Sequence, residues 1–378
     1  MKKLRVAYGI DSMAGSGGTE LHAVRLAEQM RALDVQPLMV TLNADGPMGA
    51  RYRDAGIDVH AFPVDSLVGL SAIRQIARMA RFFRDEQIDV VHTHDCYTNF
   101  LGVAAARLAG VPLAIASKRW THHVYPQHRW TNRVAYRLAH AVTANSAAVA
   151  ASVSRDERIA ARRVLVTLNF LDESAFELPA PGESEALRTS MGFGSEHVVF
   201  AILARLRAEK DHKFLLTAFA QVVRRHPEVR LLIIGDGPER ASIEADIVKL
   251  SLEAHVVLTG HSSAPRPLLA AADVAVLTSR HEGFPNALLE AMAAGRPVIS
   301  TAVGGVVDAV QSNRNGMLVA LDDLGGFVMA MSAMVNDVAL RTHLGQTARA
   351  DAIERFRAGT VVPRLEQLYR TLIASSGK

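Results

Sequence analysis

Short apolar runs alternate with amphipathic segments from one end of the chain to the other. In the first half the runs are Leu4–Ile10, Pro37–Leu42, Asp89–Thr93, Pro112–Ser117, Ala141–Ala144 and Val164–Leu168. Between them lie stretches with helical spacing, such as Glu20–Leu33 and Ala72–Arg84. The runs are continuously apolar rather than alternating, as expected of strands in a parallel sheet covered on both faces. The pattern pauses over Asp172–Glu185, where Pro179, Pro181 and Gly182 predict a linker. It restarts with Val198–Leu203, Arg230–Ile234, Val256–Thr259, Val274–Thr278, Pro297–Ser300 and Met317–Ala320, with helices such as Phe214–Arg225 and Arg240–Leu252 between. Two successive βα arrays predict an α/β chain of two doubly wound domains, 1–175 and 186–356. Functional loops then belong at the carboxyl ends of the strands, and a ligand in the crevice where the two sets of loops face each other. The closing segment, about 360–378, is helical over Thr360–Ile373 and could pack back on the first domain.

Composition adds limits. A chain of 378 residues is long for one domain. An apolar fraction of 49% with 21% charged residues is that of an ordinary globular protein, and no apolar stretch reaches the length of a membrane span. Cys96 is the single cysteine, so an intrachain disulfide is excluded. The basic Met1–Arg5 start is followed by an apolar run that breaks at Asp11, too short for a secretion signal. A cytoplasmic protein is expected.

Charge is unevenly spread. Residues 1–175 carry 21 Lys/Arg against 16 Asp/Glu, and from Cys96 to Ser154 there is no carboxylate at all. That stretch holds Arg107, Lys118, Arg119, Arg129, Arg133 and Arg137, interleaved with Trp120, Tyr125, Trp130 and Tyr136. It reads either as a solvated basic face or, over 118–137, as a surface for anionic membrane or a phosphorylated acceptor. No recognised nucleic-acid module accompanies it, so nucleic acid is not expected as a partner.

The candidate chemistry clusters at strand ends. Glu282-Gly-Phe-Pro-Asn-Ala-Leu-Leu-Glu290 places one carboxylate in a Gly/Pro turn and a second inside a short helix, with Pro285 suited to its first position and Gly295 to its stop. Such an arrangement suits a ligand with a polyhydroxyl end and an anionic middle. Arg205 and Lys210 follow the first strand of the second array and could clamp a diphosphate. Gly15-Ser-Gly17-Gly18-Thr-Glu20 opens a helix after the first strand, where backbone N–H groups could approach phosphate; a tight turn is the alternative. The third glycine of a dinucleotide fingerprint is missing. Gly235-Asp236-Gly237 and Gly304-Gly305 are further turns at helix starts. His92-Thr-His94-Asp95 invites a metal reading, because alternate strand residues share a face, but a third ligand is not evident and core histidines explain it better. His122-His123 lie in a loop where a site residue or an exposed basic pair would serve equally.

In this order the motifs resemble the retaining glycosyltransferases of the GT-B fold, family 4. The carrying motif is Glu282-x7-Glu290 within Arg280–Gly295, supported by Gly17-Gly18-Thr-Glu20, Ala204-Arg205-Leu206 with Lys210, Gly235–Arg240 and Gly304-Gly305. The resemblance spans nearly the whole chain and implies two Rossmann-like domains, the second holding a nucleoside-diphosphate sugar. By the family pattern Glu282 orients the sugar hydroxyls, Glu290 binds the ribose, and Arg205 and Lys210 hold the diphosphate. Backbone at Gly17, Phe284 and Pro285 aids them, and Gly18, Gly237, Gly283 and Asn286 complete the donor site. His122 is the best match to a first-domain histidine near the reacting sugar, with His123 in reserve. No metal or other cofactor is implied. The acceptor is a glycan or lipid-linked glycan, as in bacterial surface polysaccharide or lipopolysaccharide synthesis, handled in the cytoplasm or at the inner face of its membrane. Two alternatives from other classes are a nucleotide-sugar-binding protein without transfer activity, or a partner subunit, and an NAD-dependent oxidoreductase. Two departures from the family pattern stand out: Asn169-Phe-Leu-Asp172 where Asn-Gly-Val/Ile-Asp is usual, and a His-His pair where one histidine is usual.

Overall fold

The computed structural model describes residues 3–376 apart from 16, 68, 121–126, 181 and 263. The chain forms two compact units, residues 1–170 with 358–378, and residues 171–357.

Seven parallel strands form the first sheet: β1 (Leu4–Ser12), β2 (Val35–Asn43), β3 (Val59–Ala61), β4 (Val90–Thr93), β5 (Leu113–Lys118), β6 (Ala141–Ala144) and β7 (Val164–Val166). Their order is β3-β2-β1-β4-β5-β6-β7, so the winding reverses between β1 and β4, where Val6 pairs with Val90 and Gly9 with Thr93. Side-chain alternation along β1 explains why its middle, Val6–Ile10, is continuously apolar. Val6, Tyr8 and Ile10 enter one core with the Gly18–Met30 helix and the C-terminal helix. Ala7 enters the opposite core, under the helices Leu70–Asp85 and Cys96–Ala109. Both faces are buried over Val6–Ile10, so that stretch is apolar apart from the Tyr8 hydroxyl. β3 was not legible from the pattern: it is a three-residue edge strand, only partly buried.

The second sheet has six parallel strands: β8 (Val198–Leu203), β9 (Val229–Ile234), β10 (Val256–Gly260), β11 (Val274–Leu277), β12 (Val298–Thr301) and β13 (Gly316–Val319). Their order β10-β9-β8-β11-β12-β13 reverses between β8 and β11. Alternation along β8 sends Val198, Phe200 and Ile202 to one core, and Val199 and Ala201 to the other.

One expectation needs adjustment. The linker is not bare chain: Leu171 N–H donates to Phe356 O (2.8 Å), Arg349 Nη2 donates to Phe176 O (2.6 Å), and Ala175 and Phe176 are buried. A helix, Glu183–Ser190, begins within it. The C-terminal helix Ala358–Ser376 belongs to the first unit, where Tyr369 is fully buried and its hydroxyl meets His92 Nδ1 at 2.7 Å.

Candidate active site

In an open α/β sheet, ligands gather outside the carboxyl ends of the strands where the winding reverses, because two adjacent loops diverge there and leave a crevice. In the second unit those loops follow β8 and β11, and they carry Lys210 and Glu282. Lys210 Nζ donates to Glu282 Oε1 at 2.5 Å, and Ser279 Oγ donates to the same oxygen at 2.6 Å. Glu282 is buried at 5% exposure, so its charge depends on these partners. Among the described residues Oε2 takes no hydrogen bond. One oxygen is fixed and the other remains able to accept from a ligand hydroxyl.

The two loops are tied to each other by backbone. Thr278 Oγ1 donates to Lys210 O (2.9 Å), Arg280 N–H to Glu209 O (2.8 Å), and Thr301 Oγ1 to Ser279 O (2.6 Å). Ser279 and Thr301 carry no sequence signal of their own, since small hydroxyl residues are common at strand ends. Only the fold shows what they hold.

Close backbone packing builds the rest of the rim. Gly304, in the left-handed region at φ +51°, lies so near the loop that a Cβ would sit 1.8 Å from Glu282 O. A Cβ on Gly237 would meet Leu206 O at 2.4 Å, and one on Gly235 would meet Ala204 O at 2.0 Å. The second array's glycines thus let the loops after β9 and β12 press against those carrying Arg205 and Glu282. Gly305 N–H donates to Gly283 O at 2.9 Å and so is not directed at a ligand, and it opens a helix of only four residues, Val306–Ala309. Gly237 N–H likewise turns to Asp236 Oδ1 (2.7 Å).

The helix bearing Glu290 runs Asn286–Ala293, with Pro285 as its cap rather than its first residue and Gly295 (φ +72°) beyond its end. It therefore starts four residues after Glu282, and the Glu282 carboxylate takes Lys210 and Ser279 rather than helix N–H groups. Glu290 is half-buried in the second turn. Gly283 and Phe284 are buried, and the Phe284 ring packs edge-on against Phe356 (5.6 Å), which leaves only its backbone for a ligand. Pro285 has no N–H to give, so donation at this turn must come from its neighbours. Arg205 is exposed and pairs with no carboxylate among the described residues.

In the first unit Gly17 caps the Gly18–Met30 helix, and the Glu20 carboxylate folds back over the loop: Cβ atoms built on Gly15 or Gly17 would each meet one of its oxygens at 2.6 Å. A carboxylate therefore lies where backbone approach to phosphate was expected. The carboxyls of Asp11 and Asp95 stand close by at the ends of β1 and β4, both raised above the ordinary range chiefly by burial. Asp11 also accepts from the N–H groups of Thr98 (2.7 Å) and Tyr97 (3.1 Å). His122 and His123 lie outside the described residues.

The histidines of β4 are core. His92 engages Tyr369 at Nδ1 and both Ser117 (2.8 Å) and Thr143 (3.1 Å) at Nε2, leaving neither nitrogen for a metal. Burial lowers its pKa to about 3. His94 stacks on Tyr8 and is likewise held neutral by burial. No group of three or more His, Cys, Asp or Glu among the described residues could hold a metal ion.

The basic stretch is not one solvated face. Lys118 and Arg119 are buried: Lys118 lies 3.7 Å from the fully buried Glu157, and Arg119 donates to Asn169 Oδ1 (2.5 Å). Tyr136 is buried too, whereas Arg129, Trp130 and Arg137 are exposed. Among the described residues no helix is long and apolar enough to cross a membrane.

Two doubly wound parallel sheets, with a lysine–glutamate pair at the reversal point of the second, define a GT-B glycosyltransferase architecture. The family models agree: residues 17–169 match the glycosyl transferase 4-like domain and residues 197–337 match glycosyl transferases group 1. The chain belongs to this glycosyltransferase family. It is 24% identical over 348 residues to the Escherichia coli UDP-Gal:alpha-D-GlcNAc-diphosphoundecaprenol alpha-1,3-galactosyltransferase, covering 87% of this chain and 88% of that one. It is 30% identical over 201 residues to the Bacillus anthracis N-acetyl-alpha-D-glucosaminyl L-malate synthase, about half of each chain (53% and 52%). The fold matches that of Anabaena HepE, crystallised with UDP and glucose, at TM-score 0.84 and 23% identity, covering 97% of this chain and all of that one.

Proposed function

We propose that the protein transfers a sugar, with retention of anomeric configuration and without a metal ion, from a nucleoside-diphosphate sugar to a glycan or lipid-linked acceptor. The observation that carries this reading is the Glu282 carboxylate at the β8/β11 reversal point, one oxygen fixed by Lys210 and Ser279 and the other able to accept from a sugar hydroxyl. Lys210 and the exposed Arg205 supply the cations that a departing diphosphate needs, and Glu290 is assigned to the ribose. In the proposed step the C1–oxygen bond to the diphosphate breaks with its electron pair on the phosphate oxygen. The acceptor oxygen attacks C1 from the same face, and its proton passes to the departing diphosphate. His122 is assigned to the reacting sugar. The E. coli relative's lipid-linked acceptor, and relatives named for lipopolysaccharide core and capsular polysaccharide synthesis, support surface-glycan assembly as the setting.

A thermal-shift panel of uridine, guanosine and adenosine diphosphate sugars identifies the donor, since a ligand that binds only the folded state raises its melting temperature. Slow hydrolysis of that donor by the pure protein should fall about a hundredfold or more in Glu282→Gln. Binding without turnover across donors and acceptors would instead make this a nucleotide-sugar-binding protein. Release of the inverted anomer would sink the retaining step, and activity abolished by chelators would sink metal independence.

The exposed surface of the first unit favours a cytoplasmic protein peripheral to an anionic membrane. Its helix Leu70–Asp85 presents Leu70 (70% exposed) and Ile73 (62%) together with Arg74, Arg78, Arg81 and Arg84. It packs on the Cys96–Ala109 helix, which packs in turn on Gln127–Leu138 with Arg129, Trp130 and Arg137. Basic side chains beside exposed apolar ones suit anionic headgroups above an acyl boundary. Co-sedimentation with phosphatidylglycerol but not phosphatidylcholine vesicles is expected. Failure to bind the anionic vesicles at low salt would refute it.

A further inference from the structure

Among the described residues six non-glycine residues lie in the left-handed backbone region, and two of them, Asp211 and Asp322, are held by one side chain, that of Arg280. Arg280 Nη1 donates to Asp211 Oδ2 at 2.9 Å and to Asp322 Oδ1 at 2.6 Å, and Nη2 donates to Asp322 Oδ2 at 3.0 Å. The three residues come from three separate loops, following β8, β11 and β13. Two members of the network flank the candidate active site directly: Asp211 is the residue after Lys210, and Arg280 lies two before Glu282. Asp211 at φ +49° is an uncommon conformation for a side-chain-bearing residue, which surrounding contacts must support. Here its carboxylate caps the His212–Val223 helix through Phe214 N–H (3.2 Å) with one oxygen and meets Arg280 with the other. The position of Lys210 is thereby fixed at its carboxyl side by a guanidinium from the loop that carries Glu282.

We propose that Arg280 is a positioning residue: by clamping Asp211 and Asp322 it sets the Lys210 ammonium against Glu282. It touches the reacting groups only through their neighbours. The planar guanidinium suits this task because it meets two carboxylates in fixed directions, whereas an ammonium acts as a point charge. A Lys replacement therefore restores charge but not geometry. The catalytic consequence rests on the donor reading above, while the geometric one does not.

The test is competitive acylation of the intact protein, with the reactivity of Lys210 read by mass spectrometry against exposed Lys249 in the same molecule. In Arg280→Ala the Lys210 to Lys249 ratio should rise roughly two- to fivefold, the span of an exposed ion pair. Asp322→Asn should raise it by a smaller factor, and the double variant by less than the product of the two. Arg280→Lys should fall between wild type and Arg280→Ala. An unchanged ratio in both Arg280→Ala and Asp322→Asn overturns the proposal, and Asp322→Asn keeps it refutable should Arg280→Ala fail to fold. Melting shifts with UDP, GDP and ADP run alongside. Raised acylation together with a weakened nucleotide shift supports the positioning and its bearing on the donor site. Raised acylation with no nucleotide shift even in the wild type supports the positioning and refutes the donor reading.

Discussion

Gly304 offers a sharp test of how the candidate site is built, because two separate costs meet there and one can be measured alone. The Gly304→Ala substitution places a methyl group where a Cβ would stand 1.8 Å from Glu282 O, at a residue with φ +51°. The left-handed conformation by itself costs an alanine about 1 kcal/mol. The clash is additional: the atom it meets is backbone, so relief requires the Glu282 loop to retreat by more than an ångström. Overpacking of that kind costs about 1–3 kcal/mol, for a total of about 2–4 kcal/mol. At roughly 2–4 °C per kcal/mol for a unit of this size, melting should fall by roughly 4–16 °C. Gly192 supplies the control. It has φ +77° in the same unit with nothing within 4 Å of its Cβ position, so Gly192→Ala should carry only the conformational cost, about 1 kcal/mol. Calorimetry of the two variants separates the terms. Function should separate as well, since retreat of the loop opens the 2.5 Å contact between Lys210 and Glu282. Gly304→Ala should lose the donor-induced melting shift that Gly192→Ala keeps. Equal melting temperatures with equal donor binding would refute the packing described for the rim.

Three further outcomes follow from the first unit. The pKa of His92 is lowered to about 3 from an ordinary 6.5, so the unfolded chain binds more protons in between and stability is lost as pH falls from about 6.5 toward 3. His92 alone should cost about 2 kcal/mol at pH 5 relative to pH 7, and denaturant titrations of His92→Gln should show a shallower pH slope. Glu157→Ala strips the nearest carboxylate from buried Lys118 (3.7 Å) and should lose about 3–5 kcal/mol, whereas Arg155→Ala, which breaks an exposed, solvent-screened pair with Asp156, should leave stability nearly unchanged. Tyr369→Phe removes the hydroxyl that meets His92 and should cost about 1–2 kcal/mol, read by unfolding of the whole chain because the C-terminal helix packs within the first unit's core.

Much of this architecture was legible from the chain alone. Strands buried on both faces are apolar at most positions, so their runs stand out, and glycines mark turns where backbones approach closely. The motif from Arg280 to Gly295 announced its helix within a residue of the observed cap. Other features were silent for physical reasons. β3 is too short to show a period. Lys118 and Arg119 are buried against Glu157 and Asn169, distant in sequence, and Tyr136 lies in the apolar core, so a run without carboxylates read as surface. Glu20 folding over Gly15 and Gly17 is a side-chain choice that spacing does not encode.

Local sequence therefore determined the class of fold, the two arrays, the strand-end loops and the family. Periodicity and turn chemistry act between neighbours in the chain, and those survive in a linear reading. Tertiary structure alone decided that Glu282 Oε1 is held by Lys210 and Ser279, that Arg280 joins loops after β8, β11 and β13, and that Gly304 presses on the Glu282 carbonyl. Each of these brings together residues from different loops or different turns of one loop. Their distances are set by sheet order and winding, which place β8 beside β11 although 70 residues separate Leu203 from Val274.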